Sequence, residues 1–406
     1  MRSNIVFFRI FLALSIFQCF SFQDALALQA PKSKPKVLLF NGWLWPLPGG
    51  GINHFLYFHK NYAKYEKAYA TELFTPENTF PQTQAAKLGL SCNTFRFPLD
   101  EWQAYNVLAH NEISIVTFPR WEDFAALKQA SNRYPVKLVL VQQGTIDQNI
   151  MNNIQALKGL DGIVGHNQDM TDYFLWANRH YNLGIKKITT IAPCWDERHI
   201  DEVTESFNVY ASRSDFFKKR FGLDINNQWP LICTIANMAD PVKNQQLLIN
   251  ALSIIIKQKK KNVYAVLAGE GALRSTLEKL VKDLGLEKYV YILGPVLDAP
   301  WLLNYCDMHI LPSNAEGFPV VNIEASYMGK PVIAANNTGG AFLIDHMKTG
   351  LLFDNNDVVS LSQNIELLLN NGPLREQLGK AAAENIKNNY LNRALFKQWN
   401  KFFTGL

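Results

Sequence analysis

The stretch from residue 312 to residue 325 reads Pro-Ser-Asn-Ala-Glu-Gly-Phe-Pro-Val-Val-Asn-Ile-Glu-Ala, and it places Glu316 and Glu324 eight residues apart. Gly317 permits a tight turn, and Pro319 suits the first position of a helix. A helix that starts there directs unpaired N–H groups and a partial positive charge toward its N-terminal side. An anion at that point, with a carboxylate on each side to accept sugar hydroxyls, is what a nucleotide-sugar site needs. An ordinary acidic loop before an ordinary helix is the alternative.

The segments around this stretch alternate between strand and helix patterns. Residues 265–271, Ala-Val-Leu-Ala-Gly-Glu-Gly, predict a buried strand that ends in a glycine turn, and leucines at helical spacing follow it. Further short apolar runs at 289–294, 307–312 and 331–335 predict three more strands. Strands that alternate with helices, with glycine-rich turns at the strand ends, predict a parallel sheet whose ligands lie at that edge. This half of the chain is therefore predicted to be Rossmann-like.

From about residue 231 to residue 384 the sequence resembles the donor-binding half of retaining GT-B glycosyltransferases of family 4 (glycosyl transferases group 1). The resemblance rests on several motifs in order, which are Gly269-Glu-Gly271, the stretch from Leu311 to Pro319, Ile323-Glu-Ala325, Gly329-Lys-Pro-Val-Ile333, Gly339-Gly340 and Thr349-Gly-Leu-Leu352. It implies an α/β protein with the GT-B fold. In that fold two Rossmann-like domains face a central cleft, and the C-terminal helix crosses back to the first domain.

The resemblance also implies a function and roles for particular residues. It implies an enzyme that moves a sugar, with retention of configuration, from a nucleotide-diphosphate sugar to an acceptor. Glu316 would face the donor sugar and Glu324 would bind the ribose. The backbone of Gly317 and Phe318 would approach the distal phosphate, and Gly269 belongs to the donor-binding motif near the start of this half.

Two positions concern the charge of the leaving diphosphate. Lys243 matches the lysine that the family uses there, whereas Asn237 stands where the family usually has an arginine. Fixed positive groups stabilise the negative charge that develops when the sugar–phosphate bond breaks, so an arginine that nothing replaces would cost on the order of 10²-fold in rate. A solvated residue ahead of the next helix is the alternative for Lys243.

The N-terminal half carries weaker signals. A first strand at 35–40 runs into a loop that contains Gly49, Gly50 and Gly51, and the family places such glycines against the donor phosphate or the acceptor. A flexible surface loop is the alternative. Gln143 (or Gln142), after a strand at 136–141, stands where many family members have a histidine near the reacting sugar.

Two further positions concern the match to the family. Asp196 is the residue retained from the motif after the last strand of the N-terminal half, and Gln143 and Asp196 are predicted sugar or acceptor contacts. Leu343 stands where the family often has glutamate. Together with Asn237 and Gln143, this makes three departures at contact positions.

The length of 406 residues predicts two domains. The predicted organisation is a signal peptide or short anchor at 1–27, an N-terminal Rossmann-like acceptor domain at 28–205, a C-terminal Rossmann-like donor domain at 206–385, and a return helix at 386–406. The leader has two arginines, an apolar run and an Ala-Leu-Ala end, which predicts an exported or membrane-associated protein. Anchoring at the cytosolic face of a membrane is the alternative, because nucleotide sugars are made in the cytosol.

The composition limits the classes of partner. A formal net charge of +5, spread along the chain, does not favour nucleic acid. The expected partners are the nucleotide-sugar donor and a carbohydrate or lipid-linked acceptor. The basic run at 257–261 adds a peripheral membrane contact, with a solvated helix end as its alternative.

Neither the histidines nor the cysteines have metal-ligand spacing, so no essential metal and no cofactor besides the donor substrate are expected. Two other functions stay open on sequence grounds. One is a GT-B scaffold that binds nucleotide or carbohydrate without efficient catalysis, and the other is a nucleotide-sugar epimerase.

Overall fold

The structure is a computed structural model that describes residues 34–406 except 41–49, 67, 78–79, 96–98, 111–112, 147 and 297–298. The predicted leader at 1–27 lies outside the described residues. Among the described residues, none of the helices combines the length and the apolar composition that crossing a bilayer requires.

The described strands form two parallel sheets. The first has seven strands in the order β3-β2-β1-β4-β5-β6-β7, and the second has six in the order β10-β9-β8-β11-β12-β13. In each sheet the next two strands of the chain lie on one side of the first strand, and the later strands lie on its other side. Both sheets therefore have the switch point of a Rossmann-like sheet. The strands are β1 Lys36–Phe40, β2 Ala70–Pro76, β3 Asn93–Phe95, β4 Ile113–Phe118, β5 Lys137–Gln142, β6 Gly162–Gly165, β7 Lys187–Thr190, β8 Leu231–Ile235, β9 Tyr264–Ala268, β10 Val290–Gly294, β11 Met308–Leu311, β12 Val332–Ala335 and β13 Leu351–Phe353.

Helices connect the strands and cover both faces of each sheet. The described helices are α1 Gly50–Tyr65, α2 Phe80–Lys87, α3 Glu101–His110, α4 Phe124–Ser131, α5 Gln148–Asn152, α6 Gln168–His180, α7 Glu197–Glu205, α8 Arg213–Phe221, α9 Gln245–Ser253, α10 Arg274–Asp283, α11 Ala299–Tyr305, α12 Val320–Tyr327, α13 Thr338–Ala341, α14 Val358–Asn370, α15 Gly372–Asn389 and α16 Asn392–Thr404. Short 3₁₀ turns lie at Trp121–Asp123, Ile154–Leu157, Phe207–Val209 and Pro241–Lys243, and Ile254–Gln258 is a π-helical turn.

The strand sequences explain why these sheets are covered on both sides. All residues of β9 are buried, and so are those of β11 and β12. Continuous apolar runs of this kind are typical of parallel strands with helices on both faces. The α10 helix then buries Leu277 and Val281, four residues apart, against the second sheet. The predicted strands of the C-terminal half are all present, with ends within one residue of the predicted ones.

The last helix returns to the first sheet. Phe396, Trp399 and Phe402 of α16 are buried in a cluster with Phe58 and Tyr62 of α1. Rings of the two helices meet edge to face, for example Phe58 and Trp399 at a centroid separation of 5.3 Å. The GT-B architecture predicted from the motifs is confirmed, including the crossing of the C-terminal helix to the first domain.

Hydrogen bonds fix the path of this crossing. Trp195 Nε1 donates to Tyr390 O over 2.8 Å, and Asn392 Nδ2 donates to Trp195 O over 2.7 Å. Between the two sheets, β7 ends at residue 190 and β8 begins at residue 231. The domain limits near residues 205 and 385 stay predictions.

Candidate functional site

The stretch that opened the sequence analysis forms the loop and helix after β11. Pro319 is the N-cap residue and α12 starts at Val320, one residue later than predicted. Glu324 lies in the second turn of this eight-residue helix and is partly exposed. The helix N-terminus points its unpaired N–H groups to the side from which the loop enters, as an anion site requires.

Glu316 and Lys243 contact each other in this loop. Lys243 Nζ lies 2.7 Å from Glu316 Oε1, and Glu316 is only 8% exposed. The 3₁₀ turn that carries Lys243 is held by Asp240, whose side chain accepts from Val242 N, and Asn314 N donates to Val242 O. Two side chains that were predicted for the sugar and for the diphosphate are therefore neighbours at one site.

Gly317 is the point where the two domains meet. Asn167 Nδ2, which follows β6 of the first sheet, donates to Gly317 O over 2.5 Å. A Cβ at residue 317 would lie 2.1 Å from the carbonyl oxygen of Gln143. Only glycine fits this approach, so the loop after β11 in the second domain and the end of β5 in the first domain are in direct backbone contact.

Gln143 is buried beside this contact. Its side-chain oxygen and nitrogen have no hydrogen-bond partner within the described part of the chain. The neighbouring Gln142 instead donates through Nε2 to Gly144 O and Thr145 O. A buried amide without a partner is uncommon, and it has unused capacity to bind hydroxyls of a ligand.

Asp196 follows β7, an edge strand of the first sheet, and forms an ion pair. Lys60 Nζ of α1 is 2.8 Å from Asp196 Oδ2. Burial raises the pKa of the Tyr57 hydroxyl, and the negative charges of Asp196 and Glu324 raise it further. Tyr57 therefore connects, electrostatically, an acid of the first domain with the predicted ribose-binding acid of the second.

Phe318 follows Gly317 and packs at the joint between the domains. It contacts the apolar clusters of both domains, and its ring centroid lies 6.1 Å from that of Tyr390. Gly339 packs against the same loop, because a Cβ at that residue would lie 2.1 Å from Glu316 O. The loop from 316 to 318 is therefore fixed by contacts on several sides.

The other predicted donor contacts lie at strand ends of the second sheet. Asn237 is exposed after β8, and its carbonyl oxygen accepts from Gln245 Nε2 over 2.8 Å. Gly269 follows β9, and its N–H donates to Gly294 O over 2.8 Å. Both residues occupy the sheet edge that carries the Lys243 turn.

The predicted glycine loop of the N-terminal half is only partly described. Gly50 and Gly51 are the first residues of α1, and Gly49 lies outside the described residues.

Several polar residues at this site escaped sequence reasoning. Asn322 is fully buried near the start of α12 with both amide atoms unpartnered, and Ser313 Oγ is likewise buried without a partner. Tyr57 and Lys60 were also missed. Their spacing of three residues in a helix that follows the first strand places them on one face, which is the signal that could have identified them.

Two histidines of the first domain are fully buried close together. The rings of His54 and His166 are 4.9 Å apart, and Cys194 N donates to His54 Nδ1. Burial lowers the pKa of His54 well below its usual range and lowers the pKa of His166 to about 3. Both rings are uncharged at neutral pH. Over the described ranges, no group of three or more His, Cys, Asp or Glu side chains is arranged to hold a metal ion.

Comparison with known proteins agrees with this geometry. Residues 215–385 match the family model described as Glycosyl transferases group 1. The poly(ribitol-phosphate) alpha-N-acetylglucosaminyltransferase of Staphylococcus aureus is 28% identical over 164 residues, which are 40% of this chain and 33% of that protein. A Campylobacter jejuni alpha-1,4-N-acetyl-D-galactosaminyltransferase, named for a GalNAc-containing undecaprenol diphosphate substrate, is 34% identical over 149 residues, 36% of this chain and 41% of that protein.

A solved structure extends the likeness to the first domain. Anabaena HepE in complex with UDP-glucose superposes with a TM-score of 0.73 at 20% identity, over 91% of this chain and 100% of that chain. The present chain spans less than half the length of either curated relative described above. The fold therefore matches over nearly the whole chain, and the sequence matches over the second domain. Residues 215–385 thus match the family described as Glycosyl transferases group 1, within a chain of the GT-B fold.

Proposed function

We propose that this protein is a glycosyltransferase of the hexosyltransferase type that uses a nucleotide-diphosphate sugar as donor. One observation supports the proposal above all others. The buried acid Glu316 and the cation Lys243 lie 2.7 Å apart, in a loop that enters the N-terminus of α12 and contacts the opposite domain at Gly317. This arrangement offers a cation and helix N–H groups to a diphosphate, together with a carboxylate for the sugar.

Each residue has a distinct part in the proposed reaction. Lys243 and the N-terminus of α12 would stabilise the negative charge that develops on the leaving diphosphate. Glu316 would bind hydroxyls of the donor sugar and hold Lys243 in place until the donor arrives. Glu324 would accept from the ribose hydroxyls, with Tyr57 near it. No metal is needed in this scheme, because fixed protein groups supply the positive charge.

We infer retention of the anomeric configuration from the resemblance of the motifs to a retaining family. The leaving diphosphate would then accept the proton of the attacking hydroxyl on the same face of the sugar. Gln143 fits this scheme, since an amide can orient a hydroxyl but cannot act as a base. The printed names of the two curated relatives support a glycan or a lipid-linked glycan as acceptor.

The experiment is a donor panel with the purified protein. UDP-glucose, UDP-N-acetylglucosamine and GDP-mannose are each tested for thermal stabilisation and for nucleotide release, because a bound donor raises the melting temperature by mass action. We expect stabilisation and slow hydrolysis with one of them, without added metal and in the presence of EDTA. Proton NMR then identifies the anomer of the sugar that is released first, before mutarotation. If that anomer is the opposite of the donor's, retention is contradicted.

Two results would contradict the transferase itself. Binding without any turnover would favour a nucleotide- or carbohydrate-binding scaffold. Conversion of the donor into an epimeric nucleotide sugar would favour an epimerase.

We further propose that the protein works at a membrane surface through its basic segment at 257–261. In this segment Lys259 already pairs with Glu366 over 3.3 Å, which leaves the neighbouring lysines to contact anionic lipid. Sedimentation with vesicles that contain about one-third phosphatidylserine tests this, and binding should fall steeply with salt. Equal binding to neutral vesicles would contradict it. Export from the cytosol stays a prediction of the leader sequence.

A further inference from the structure

The turn after β4 lies at the switch point of the first sheet. The sheet order reverses between β1 and β4, and ligands of such sheets bind in the crevice outside the strand ends at that point. Phe118, the last residue of β4, is paired with Leu140 of β5. Adjacent strands lie about 4.8 Å apart, so the turn begins one strand away from the β5 end that contacts Gly317. It is therefore placed close to the crevice between the domains.

This turn ends in a buried acid without a full set of partners. Asp123 is 5% exposed, and its Oδ2 has no hydrogen-bond partner among the residues that the structure describes. It precedes α4, but its side chain makes no capping bond to that helix. Within the same described ranges the nearest cation is Arg120, whose Nε lies 4.0 Å from Asp123 Oδ2. Burial raises the pKa of Asp123 to about 6, which leaves it ionised at neutral pH. A buried carboxylate that neither caps a helix nor forms a close ion pair has unused capacity to bind hydroxyl donors.

The charges around Asp123 indicate what kind of ligand fits. Arg120 also faces Glu122, with Nε 3.7 Å from Glu122 Oε2. One guanidinium thus stands between two carboxylates, so the turn has a net negative charge. Such a surface repels phosphate and carboxylate groups and favours neutral molecules that donate hydrogen bonds. The partly exposed ring of Trp121 adds an apolar surface of the kind that sugar rings contact.

We propose that Asp123 binds the acceptor, and that the acceptor group held there is a neutral sugar whose hydroxyls donate to this carboxylate. The proposal rests on the transferase function proposed above. Asp123 is a binding residue in this scheme, and it takes up no proton from the reacting hydroxyl. It orients the acceptor on the first-domain side, opposite the donor loop at 316–318.

The test separates acceptor binding from donor chemistry. Wild type, Asp123→Asn and Asp224→Asn are incubated with the nucleotide sugar that the wild type hydrolyses fastest. Transfer is measured by mass spectrometry to methyl glucoside, methyl galactoside and methyl N-acetylglucosaminide, and to glycerol phosphate as the anionic comparison. Nucleotide release without acceptor is measured in parallel. Asp224→Asn is the matched control, because it makes the same Asp-to-Asn change at a side chain that is 87% exposed and pairs with Lys218 away from this turn.

We expect Asp123→Asn to lower kcat/KM for the best methyl glycoside by about 10²-fold, while nucleotide release without acceptor stays within twofold. Asp224→Asn should leave both rates nearly unchanged. Transfer by Asp123→Asn within threefold of wild type overturns the proposal. So does a preference for glycerol phosphate, or hydrolysis by the wild type without transfer to any glycoside. If the wild type releases no nucleotide from any donor, the transferase function itself has failed, and this inference fails with it.

Discussion

Two acids follow equivalent strands in the two sheets, and they differ in how they are satisfied. In each sheet the fourth strand lies beside the first, and Asp123 follows β4 as Glu316 follows β11. Glu316 has Lys243 at 2.7 Å, whereas the nearest cation to Asp123 Oδ2 stands 4.0 Å away. On the proposed donor side, Glu316 and Lys243 therefore neutralise each other, and a ligand must replace that contact when it binds. On the proposed acceptor side, the Asp123 carboxylate gains a hydrogen-bond partner for Oδ2 only when the acceptor binds.

The largest expected effect comes from removing the charge of Glu316. Glu316→Gln keeps a side-chain oxygen for Lys243 but loses the carboxylate at the donor sugar. We expect kcat for nucleotide release to fall by about 10²- to 10³-fold, as for other groups that stabilise a reacting centre. Glu278→Gln, at a surface acid of α10, is the control and should retain full activity. A change below threefold in Glu316→Gln would remove this residue from the site.

The next largest effect is expected from Asp123→Asn, and it concerns the free energy of unfolding rather than the rate of turnover. Burial raises the pKa of Asp123 from 3.8 to about 6, so folding favours its neutral form. Below pH 4 the acid is protonated in both states and costs nothing. As the pH rises through 6 the wild type loses on the order of 3 kcal/mol of stability, at 1.36 kcal/mol per pKa unit. Asp123→Asn lacks this loss and should be the more stable protein at pH 7.

Urea unfolding of wild type and Asp123→Asn at pH 4.5 and pH 7.5 measures this. The difference between the two free energies of unfolding should be only about one-third as large at pH 4.5 as at pH 7.5, because the loss builds up between pKa 3.8 and a pKa of about 6. A variant that is less stable than the wild type at pH 7.5 would mean that the carboxylate has a structural partner, and the contrast with Glu316 would disappear.

Gly317 tests whether the two sides of the crevice must touch. In Gly317→Ala the new methyl group would lie 2.1 Å from Gln143 O and would push the domains apart. Misplacement of about 1 Å commonly costs up to 10²-fold, so we expect kcat to fall about 10- to 100-fold. Gly144→Ala is the matched control from the opposite side of the contact, because a Cβ at residue 144 would lie 4.0 Å from its nearest neighbour, Gln142 Nε2. Equal activities of the two variants would show that closure at this point is unnecessary.

Substitution of Asn237 gives the smallest expected effect, and it should raise activity where the Glu316 and Gly317 variants lower it. Asn237→Arg restores the cation that the family usually has, at an exposed position after β8. We expect a rise in kcat/KM for the donor of about three- to tenfold, because an added cation near the diphosphate stabilises its negative charge. Asn237→Gln serves as the size control. An unchanged or lower value in the arginine variant would mean that the site neutralises the diphosphate in another way.

The sequence predicted the second domain well because its signals are local. Each signal occupies only a few residues of sequence, as do the glycine turns, the helix start at Pro319 and the short apolar runs. The helix and the strands that they predict begin and end within one residue of the predicted positions. The prediction of Glu316 and Glu324 as site residues rests on the same kind of local signal. The ion pair between Glu316 and Lys243 joins residues 73 positions apart, and only the sheet brings them together.

The first domain was harder to predict because its site depends on partners that lie far apart in the chain. The Asn167–Gly317 hydrogen bond spans 150 positions, and the Lys60–Asp196 pair spans 136. Asp123 carries no motif that sets it apart from other surface acids in the sequence. Its importance appears only when burial and the absence of a hydrogen-bond partner at Oδ2 are known.

The return of α16 to the first sheet has a consequence for biosynthesis. The aromatic cluster around Phe58 needs Phe396, Trp399 and Phe403, so this domain's interior stays incomplete on the ribosome until residues 392–404 emerge. The usual order, in which the leading domain folds first, is therefore reversed here. The apolar face of α1 therefore stays uncovered while the whole second domain is translated. We expect chaperones to bind nascent chains of this protein for that reason.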